Sequence, residues 1–129
     1  MKSTLLIATV ALCATFASCT KEAGRGGLAK VRGKVWARDL SSSGNLKTEG
    51  YVANERVFIG VDGRNAVLDD VRTAYDGSYE FRELRKGTYQ VWVISRCDTC
   101  DLETEAKIQT ITIDDKKAEE TLPDFSIDM

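Results

Sequence analysis

The stretch Thr73–Val91 reads TAYDGSYEFRELRKGTYQV and decides the fold. Asp76-Gly77 predicts a tight hairpin turn, because Gly prefers and Asp tolerates the positive φ angles that such turns require. Polar and apolar residues then alternate over 79–84, Arg85-Lys86-Gly87 predicts a second turn, and the alternation resumes over 88–95. Three aromatic residues share the inward phase of these strands: Tyr79, Phe81 and Tyr89. The stretch therefore predicts antiparallel strands whose register is fixed by two tight turns.

The strand signal continues on both sides of this stretch. Further segments of strand-like pattern recur at short spacing: 29–38, 56–62, 66–75, 105–113 and 119–129. The polar segment 41–55 predicts a long loop, and Pro123 predicts an edge or the start of a strand. No segment keeps helical spacing for more than two turns. About seven short strands with regular turn signals predict an all-β protein, a seven-stranded antiparallel Greek-key-type β-sandwich.

The spacing in Thr73–Val91 also resembles a known family pattern. In the carboxypeptidase-regulatory-like and transthyretin-like (prealbumin-like) β-sandwich domains, Thr precedes an Asp-Gly turn, and aromatic residues, Leu, Gly, Tyr and Val follow at fixed positions. Each of those positions is matched here, and Val31–Val35 is similar to the family's opening strand. The resemblance implies a β-sandwich that stabilises, spaces or binds more often than it catalyses. It does not imply a particular ligand.

The N-terminus carries the pattern of an exported, lipidated protein. Lys2 precedes an apolar run at 5–12, which is typical of a signal peptide. Phe16-Ala17-Ser18-Cys19 resembles the lipobox of bacterial lipoproteins, which implies cleavage before Cys19 and acylation of Cys19 with chains such as palmitate. Two or more acyl chains hold a protein stably in a bilayer. We therefore expect a signal peptide at 1–18, a flexible tether at 19–28 and one β-sandwich domain at 29–129.

Composition excludes several function classes. The formal net charge is −2, so no electrostatic argument supports binding to nucleic acid. Histidine is absent, which removes the usual general base at neutral pH and the commonest metal ligand. Carboxylates are present near turns, but their spacing does not match a calcium loop. The sequence therefore predicts no catalytic residue, no metal site and no cofactor.

Cys97 and Cys100 are the two cysteines that remain once Cys13 is removed with the signal peptide and Cys19 is acylated. In an oxidising envelope, a structural disulfide that closes a hairpin is favoured. Two reduced, inert thiols, a redox-active pair and a metal site with nearby carboxylates remain open as alternatives.

Trp36 and Trp92 both fall on the polar phase of their strands. If those strands are neighbours, the two side chains would form an exposed aromatic platform suited to a sugar ring or a partner protein. The alternative is that a loop or the second sheet covers them.

Taken together, the patterns predict a lipid-anchored protein of the cell envelope, with the outer membrane favoured because Thr20 rather than Asp follows Cys19. We expect a non-catalytic binding or structural accessory module whose partners are the membrane and an envelope protein or glycan. The competing hypothesis is a thiol-disulfide redox protein that uses Cys97 and Cys100.

Overall fold

A computed structural model describes residues 22–129, and these residues form nine β-strands in two sheets. The strands are β1 (Arg25–Leu40), β2 (Leu46–Tyr51), β3 (Arg56–Val61), β4 (Asp69–Arg72), β5 (Ser78–Leu84), β6 (Gly87–Arg96), β7 (Thr104–Ile113), β8 (Glu119–Thr121) and β9 (Phe125–Asp128). None of the residues in this range is helical. The all-β prediction is confirmed.

Sheet I is built around the long strand β1. Strands β5 and β2 pair antiparallel with successive parts of one edge of β1, and β8 and β9 pair parallel with successive parts of the other edge. Sheet II has the order β4-β3-β6-β7 and is antiparallel throughout. Neither of the two predicted turns therefore joins strands that pair with each other. The predicted hairpin turn Asp76-Gly77 connects β4 of sheet II to β5 of sheet I, and Arg85-Lys86-Gly87 connects β5 to β6 of sheet II.

The core lies between the inner faces of the two sheets. Strand alternation sends every second side chain inward, as in β1, where Val31 and Val35 are fully buried while Arg32 and Trp36 point outward. The buried apolar residues are Ala29, Val31, Val35, Ala37, Val57, Ile59, Tyr79, Phe81, Leu84, Tyr89, Val91, Val93, Ile113, Leu122, Phe125 and Ile127. The aromatic residues that the sequence assigns to the core are all in it.

The predicted number of strands and the predicted antiparallel pairing are both corrected. Residues 46–51 form β2 instead of a loop, since β1 extends beyond the end of β5 and offers its free edge there. The C-terminal segment forms two short strands rather than one, interrupted at Pro123, whose nitrogen cannot donate to a ladder. Both of these strands run parallel to β1.

The predicted tether at 19–28 is also corrected over its described part. Residues 25–28 belong to β1, and the backbone of Gly24 is hydrogen-bonded to a residue of the core. The Gly24 N–H donates to the hydroxyl of buried Tyr89 (2.8 Å), and that hydroxyl donates to the carbonyl of Arg85 (2.7 Å). Gly27 in this segment allows close approach of two backbones, because a Cβ on Gly27 would collide with the carbonyl of Leu84.

The signal peptide at 1–18 and the lipidation site Cys19 lie outside the described residues. Within residues 22–129 we find no helix with the length and apolarity needed to cross a bilayer.

Candidate functional site

The two tryptophans singled out in the sequence lie in different sheets. Trp36 is on β1 in sheet I and Trp92 is on β6 in sheet II, and each is half-buried on the outer face of its sheet. Because the inner faces pack together, the two outer faces point in opposite directions. The predicted shared platform is therefore wrong, and each tryptophan has to be considered with its own neighbours.

Trp92 lies in an aromatic row across sheet II. Phe58 on β3 is its register partner, and the two rings stack with centroids 5.6 Å apart and planes 14° apart. On the other side of Trp92 the register partner is Ile108 of β7, which is 56% exposed. This row gives sheet II a flat apolar strip on its outer face.

Gly60 makes room for the Trp92 ring. A Cβ at Gly60 would lie 2.8 Å from the Ala66 carbonyl oxygen and 3.2 Å from a carbon of the indole. The indole therefore lies against bare backbone, which only glycine offers. A side chain at position 60 would therefore force the Trp92 ring to shift.

The strip continues into a shallow cavity of about 250 Å³, which we call the Trp92 groove. Its lining residues are Gly60, Val61, Arg64, Asn65, Ala66, Val67, Gln90, Trp92, Ala106 and Ile108. The floor is aromatic and aliphatic, and polar groups stand at the rim. Small-molecule sites typically combine these two features.

The rim of the Trp92 groove carries amides and one paired cation. The Gln90 side-chain amide donates to Asp62 (3.0 Å), while the exposed amide of Asn65 has no hydrogen-bond partner within residues 22–129. The Arg64 guanidinium forms an ion pair with Glu22 (2.7 Å). The rim is therefore polar, and its guanidinium is paired, while the carboxylate of Asp62 forms no ion pair within residues 22–129.

Two further ion pairs lie around the groove. Arg56 pairs with Asp70 (3.2 Å) and also lies over the Phe58 ring at 6.0 Å, and Arg25 pairs with Asp69 (2.8 Å). Such exposed pairs contribute little to stability. Their effect is to leave none of the guanidinium groups of Arg25, Arg56 and Arg64 unpaired around the groove.

Trp36 belongs to a separate cluster on sheet I. Tyr51 meets it edge to face with ring centroids 5.1 Å apart, and Lys34 lies 4.7 Å above the Tyr51 ring. The Tyr51 hydroxyl donates to Asp124 (2.7 Å), and this hydrogen bond raises the pKa of the Tyr51 phenol. The Tyr51 hydroxyl and the Asp124 carboxylate of this cluster are therefore hydrogen-bonded to each other.

The basic residues of β1 that accompany Trp36 are also paired. Lys30 and Arg32 both approach Glu119, and Arg38 forms a two-pronged pair with Asp128 (2.7 and 3.0 Å). This outer face therefore carries no concentrated positive charge.

Cys97 and Cys100 form a disulfide in the loop between β6 and β7, with Cα atoms 5.4 Å apart. The Cys97 N–H donates to the carbonyl of Glu103 (2.9 Å), and the Glu103 N–H donates to the carbonyl of Cys100 (3.0 Å). Glu105 places a carboxylate near the two sulfurs, but sulfurs bonded to each other are not thiolate ligands for a metal. Of the four alternatives left by the sequence, this geometry is that of a disulfide, which a structural pair and an oxidised redox-active pair share. None of residues 22–129 is helical, so the helix N-terminus that typically activates a redox-active cysteine is not present in this range.

Arg96 ties the disulfide loop to a second loop. Its guanidinium binds Asp98 (2.6 and 3.1 Å) and donates to the carbonyls of Leu40 (3.3 Å) and Ser41 (3.1 Å) at the end of β1. The hydrogen bond to Asp98 raises the pKa of Arg96. The disulfide and Arg96 together fix one end of the sandwich.

Phe58, Gly60 and Ile108 were missed as site residues in the sequence. Phe58 carried a usable signal, because it is an aromatic residue on the polar phase of an otherwise regular strand. Gly60 and Ile108 carried none, because their role depends on which strands flank β6.

Similarity to known proteins is found at the level of three-dimensional structure. No protein-family model matches the chain, and no curated protein matches it. Among solved structures, a proposed carbohydrate-binding protein of Pseudomonas aeruginosa is similar with a TM-score of 0.46 and 14% sequence identity, over 81% of this chain and 90% of that chain.

Proposed function

We propose that this protein is a lipid-anchored module of the cell envelope that binds a ligand or partner at the Trp92 groove and has no catalytic activity of its own. Cys19 carries the acyl chains, and the outer membrane is the favoured location. The partner is an envelope glycan or an envelope protein.

The observation that carries this proposal is the position of Glu22. Its carboxylate is bound to Arg64 at the rim of the groove (2.7 Å). Only three residue steps separate Cys19 from Glu22, and these span about 10 Å at most when fully extended. A lipid on Cys19 would therefore hold the groove close to the membrane surface instead of on a long tether.

Neighbouring contacts support the same orientation. Arg25 pairs with Asp69 and donates to the carbonyl of Leu68 (3.3 Å), so the start of β1 runs along the loop that forms one wall of the groove. β1 has 16 residues. At ~3.3 Å per residue its contour is about 50 Å, so the disulfide end would face away from the bilayer.

The chemistry of the groove supports binding rather than catalysis. Arg64 is the one charged residue in its lining, and its guanidinium is paired with Glu22. The amides of Asn65 and Gln90 donate and accept hydrogen bonds but do not exchange protons near neutral pH. These groups can orient a ligand, but they do not supply a general acid or base.

Metabolic labelling with a palmitate analogue tests the anchor, and Cys13→Ala is the matched control for Cys19→Ala. We expect Cys13→Ala to stay labelled and membrane-bound, because Cys13 would be removed with the signal peptide. We expect Cys19→Ala to lose the label and to leave the membrane fraction. Labelling of Cys19→Ala, or its retention at the membrane, would overturn the anchored function.

A further inference from the structure

We infer that the Trp92 groove binds one neutral pyranose ring of a glycan. The inference rests on the proposed function, because it names the ligand class for that binding surface.

The floor of the groove suits one face of a sugar ring. A pyranose presents C–H groups on its faces, and these pack on the electron-rich face of an indole. The Trp92 ring is held by its stack on Phe58 and by the contact with Gly60 before any ligand arrives. Such a fixed ring loses little conformational entropy on binding.

The rim suits sugar hydroxyls, which both donate and accept hydrogen bonds. A carboxamide offers an acceptor oxygen and two N–H donors. Asn65 has none of these groups engaged within residues 22–129, and Gln90 uses one N–H for Asp62. The two amides can therefore recognise adjacent hydroxyl groups above the aromatic floor.

The charges around the groove select a neutral ring over an acidic one. The three guanidinium groups around the groove are each paired with a carboxylate: Arg64 with Glu22, Arg56 with Asp70 and Arg25 with Asp69. A uronic acid or a phosphorylated sugar would meet no unpaired guanidinium among these three and would also face the carboxylate of Asp62, which Gln90 binds. A neutral hexose meets no such repulsion.

The size of the groove selects a single ring over a protein partner. Its volume of about 250 Å³ falls below the range typical of drug-sized ligands. A stable protein partner would need about 800 Å² of complementary surface on this side. The concave part of the groove can hold one sugar ring, while the neighbouring rings of the glycan remain in solvent.

Calorimetric titration of the full-length protein tests the inference, in a detergent without a sugar head group. The probes are the neutral trisaccharides cellotriose, maltotriose and chitotriose, with trigalacturonate as the acidic comparison. We expect at least one neutral probe to bind with a dissociation constant on the order of 1 mM and more tightly than trigalacturonate. Absence of binding by all three neutral probes would overturn the inference.

Variants locate the site. Trp92→Ala should weaken binding at least tenfold, roughly 1.4 kcal/mol, while Trp36→Ala, the matched half-buried tryptophan on the other sheet, should leave it unchanged. Trp92→Phe keeps an aromatic face and should restore part of the affinity, which separates loss of stacking from loss of folding. Equal effects of Trp92→Ala and Trp36→Ala would overturn the assignment to this groove.

A second experiment distinguishes a lipid head group from a soluble glycan as the source of the sugar. Phosphatidylcholine vesicles with and without glucosyl diacylglycerol are compared as competitors of the free trisaccharide. Competition only by the glycolipid vesicles indicates a head group, and its absence indicates a soluble glycan; in both cases the sugar inference stands.

Failure of the anchor and failure of the sugar site are distinguishable. Palmitate labelling lost with Cys19→Ala, together with no saccharide binding, would leave the anchored function and remove the sugar ligand. Saccharide binding that depends on Trp92, in a protein that the palmitate analogue does not label, would keep the sugar site and remove the lipid anchor.

Discussion

Trp92 lies nearly parallel to Phe58 on the outer face of sheet II, with ring centroids 5.6 Å apart. The core aromatic residues of this fold face inward. A stacked pair on the outer face therefore does not fill the space between the sheets. Phe58 packs against the Trp92 indole and is not part of the groove lining, so the stack fixes the ring beside the groove.

Gly60→Ala should disturb the Trp92 groove. The new methyl group would lie 2.8 Å from the carbonyl of Ala66 and 3.2 Å from the indole, so the Trp92 ring has to move. We expect a shift in tryptophan emission, weaker ligand binding and a loss of about 1–3 kcal/mol in the free energy of unfolding, which is typical of overpacking. Gly50→Ala is the control, because nothing lies within 4 Å of its Cβ position. Unchanged emission and binding in Gly60→Ala would contradict this view of the groove.

Tyr89→Phe should release the start of the domain. The substitution removes the hydroxyl that accepts from Gly24 and donates to Arg85. Leaving these buried groups without partners should cost about 1–3 kcal/mol of unfolding free energy. We also expect faster hydrogen exchange at the Arg85 amide, which donates to the carbonyl of Gly24 (2.8 Å).

Tyr75→Phe provides the control for this measurement, since Tyr75 is 97% exposed. If both variants keep the stability and exchange rates of the parent, residues 22–25 are not held by Tyr89.

Replacing both Cys97 and Cys100 with Ser should lower the free energy of unfolding by about 2 kcal/mol, the chain-entropy value for so short a loop. Urea denaturation with and without reductant measures the effect, and reductant should not change the double variant further. Ligand binding should be retained, because Cys97 follows Trp92 by five residues, about 16 Å along an extended strand. A urea midpoint of the parent protein that reductant does not alter would contradict a stabilising disulfide.

Alkaline pH should destabilise the fold through its tyrosines. Burial raises the pKa of Tyr79 and of Tyr89, and the hydrogen bond to Asp124 raises the pKa of Tyr51. The folded state therefore holds these phenolic protons more tightly than the unfolded chain, whose tyrosines titrate near pH 10. Their contribution to stability is fully present below about pH 10 and is lost as the pH rises through the raised folded-state values.

Urea midpoints across this range test the prediction, with Tyr79→Phe as the informative variant. The Tyr79 hydroxyl is buried and has no hydrogen-bond partner within residues 22–129, so its removal should not lower stability at neutral pH. It should reduce the loss of stability above pH 10. An alkaline profile identical to that of the parent would contradict the assignment to Tyr79.

The local structure of this protein could be predicted from its sequence because strand alternation and turn chemistry are local. The inward phase of Tyr79, Phe81 and Tyr89 and the turn at Asp76-Gly77 follow from neighbouring residues alone. The Gly77 φ of +79° is the positive angle that such a turn requires.

The pairing of strands could not be predicted in this way. Trp36 and Trp92 have the same local signature, but whether they are neighbours depends on which sheet each strand joins. Likewise, Gly24 and Gly27 lie in a glycine-rich segment that is typical of a linker. In the fold, Gly24 is hydrogen-bonded to Tyr89 and Gly27 packs against the backbone of Leu84, which neighbouring residues in the sequence do not predict. Phe58 became a site residue for the same reason, because it lies beside Trp92 only when β3 pairs with β6.

The most direct test of the binding surface compares the two indole N–H resonances of the full-length protein during titration with the neutral trisaccharides. The sequence has two tryptophans, one on each outer face, so each signal reports on one surface. We predict that the Trp92 resonance shifts in a saturable way while the Trp36 resonance stays in place. A shift of Trp36 alone, or no shift of either signal, would contradict the Trp92 groove as the site of recognition.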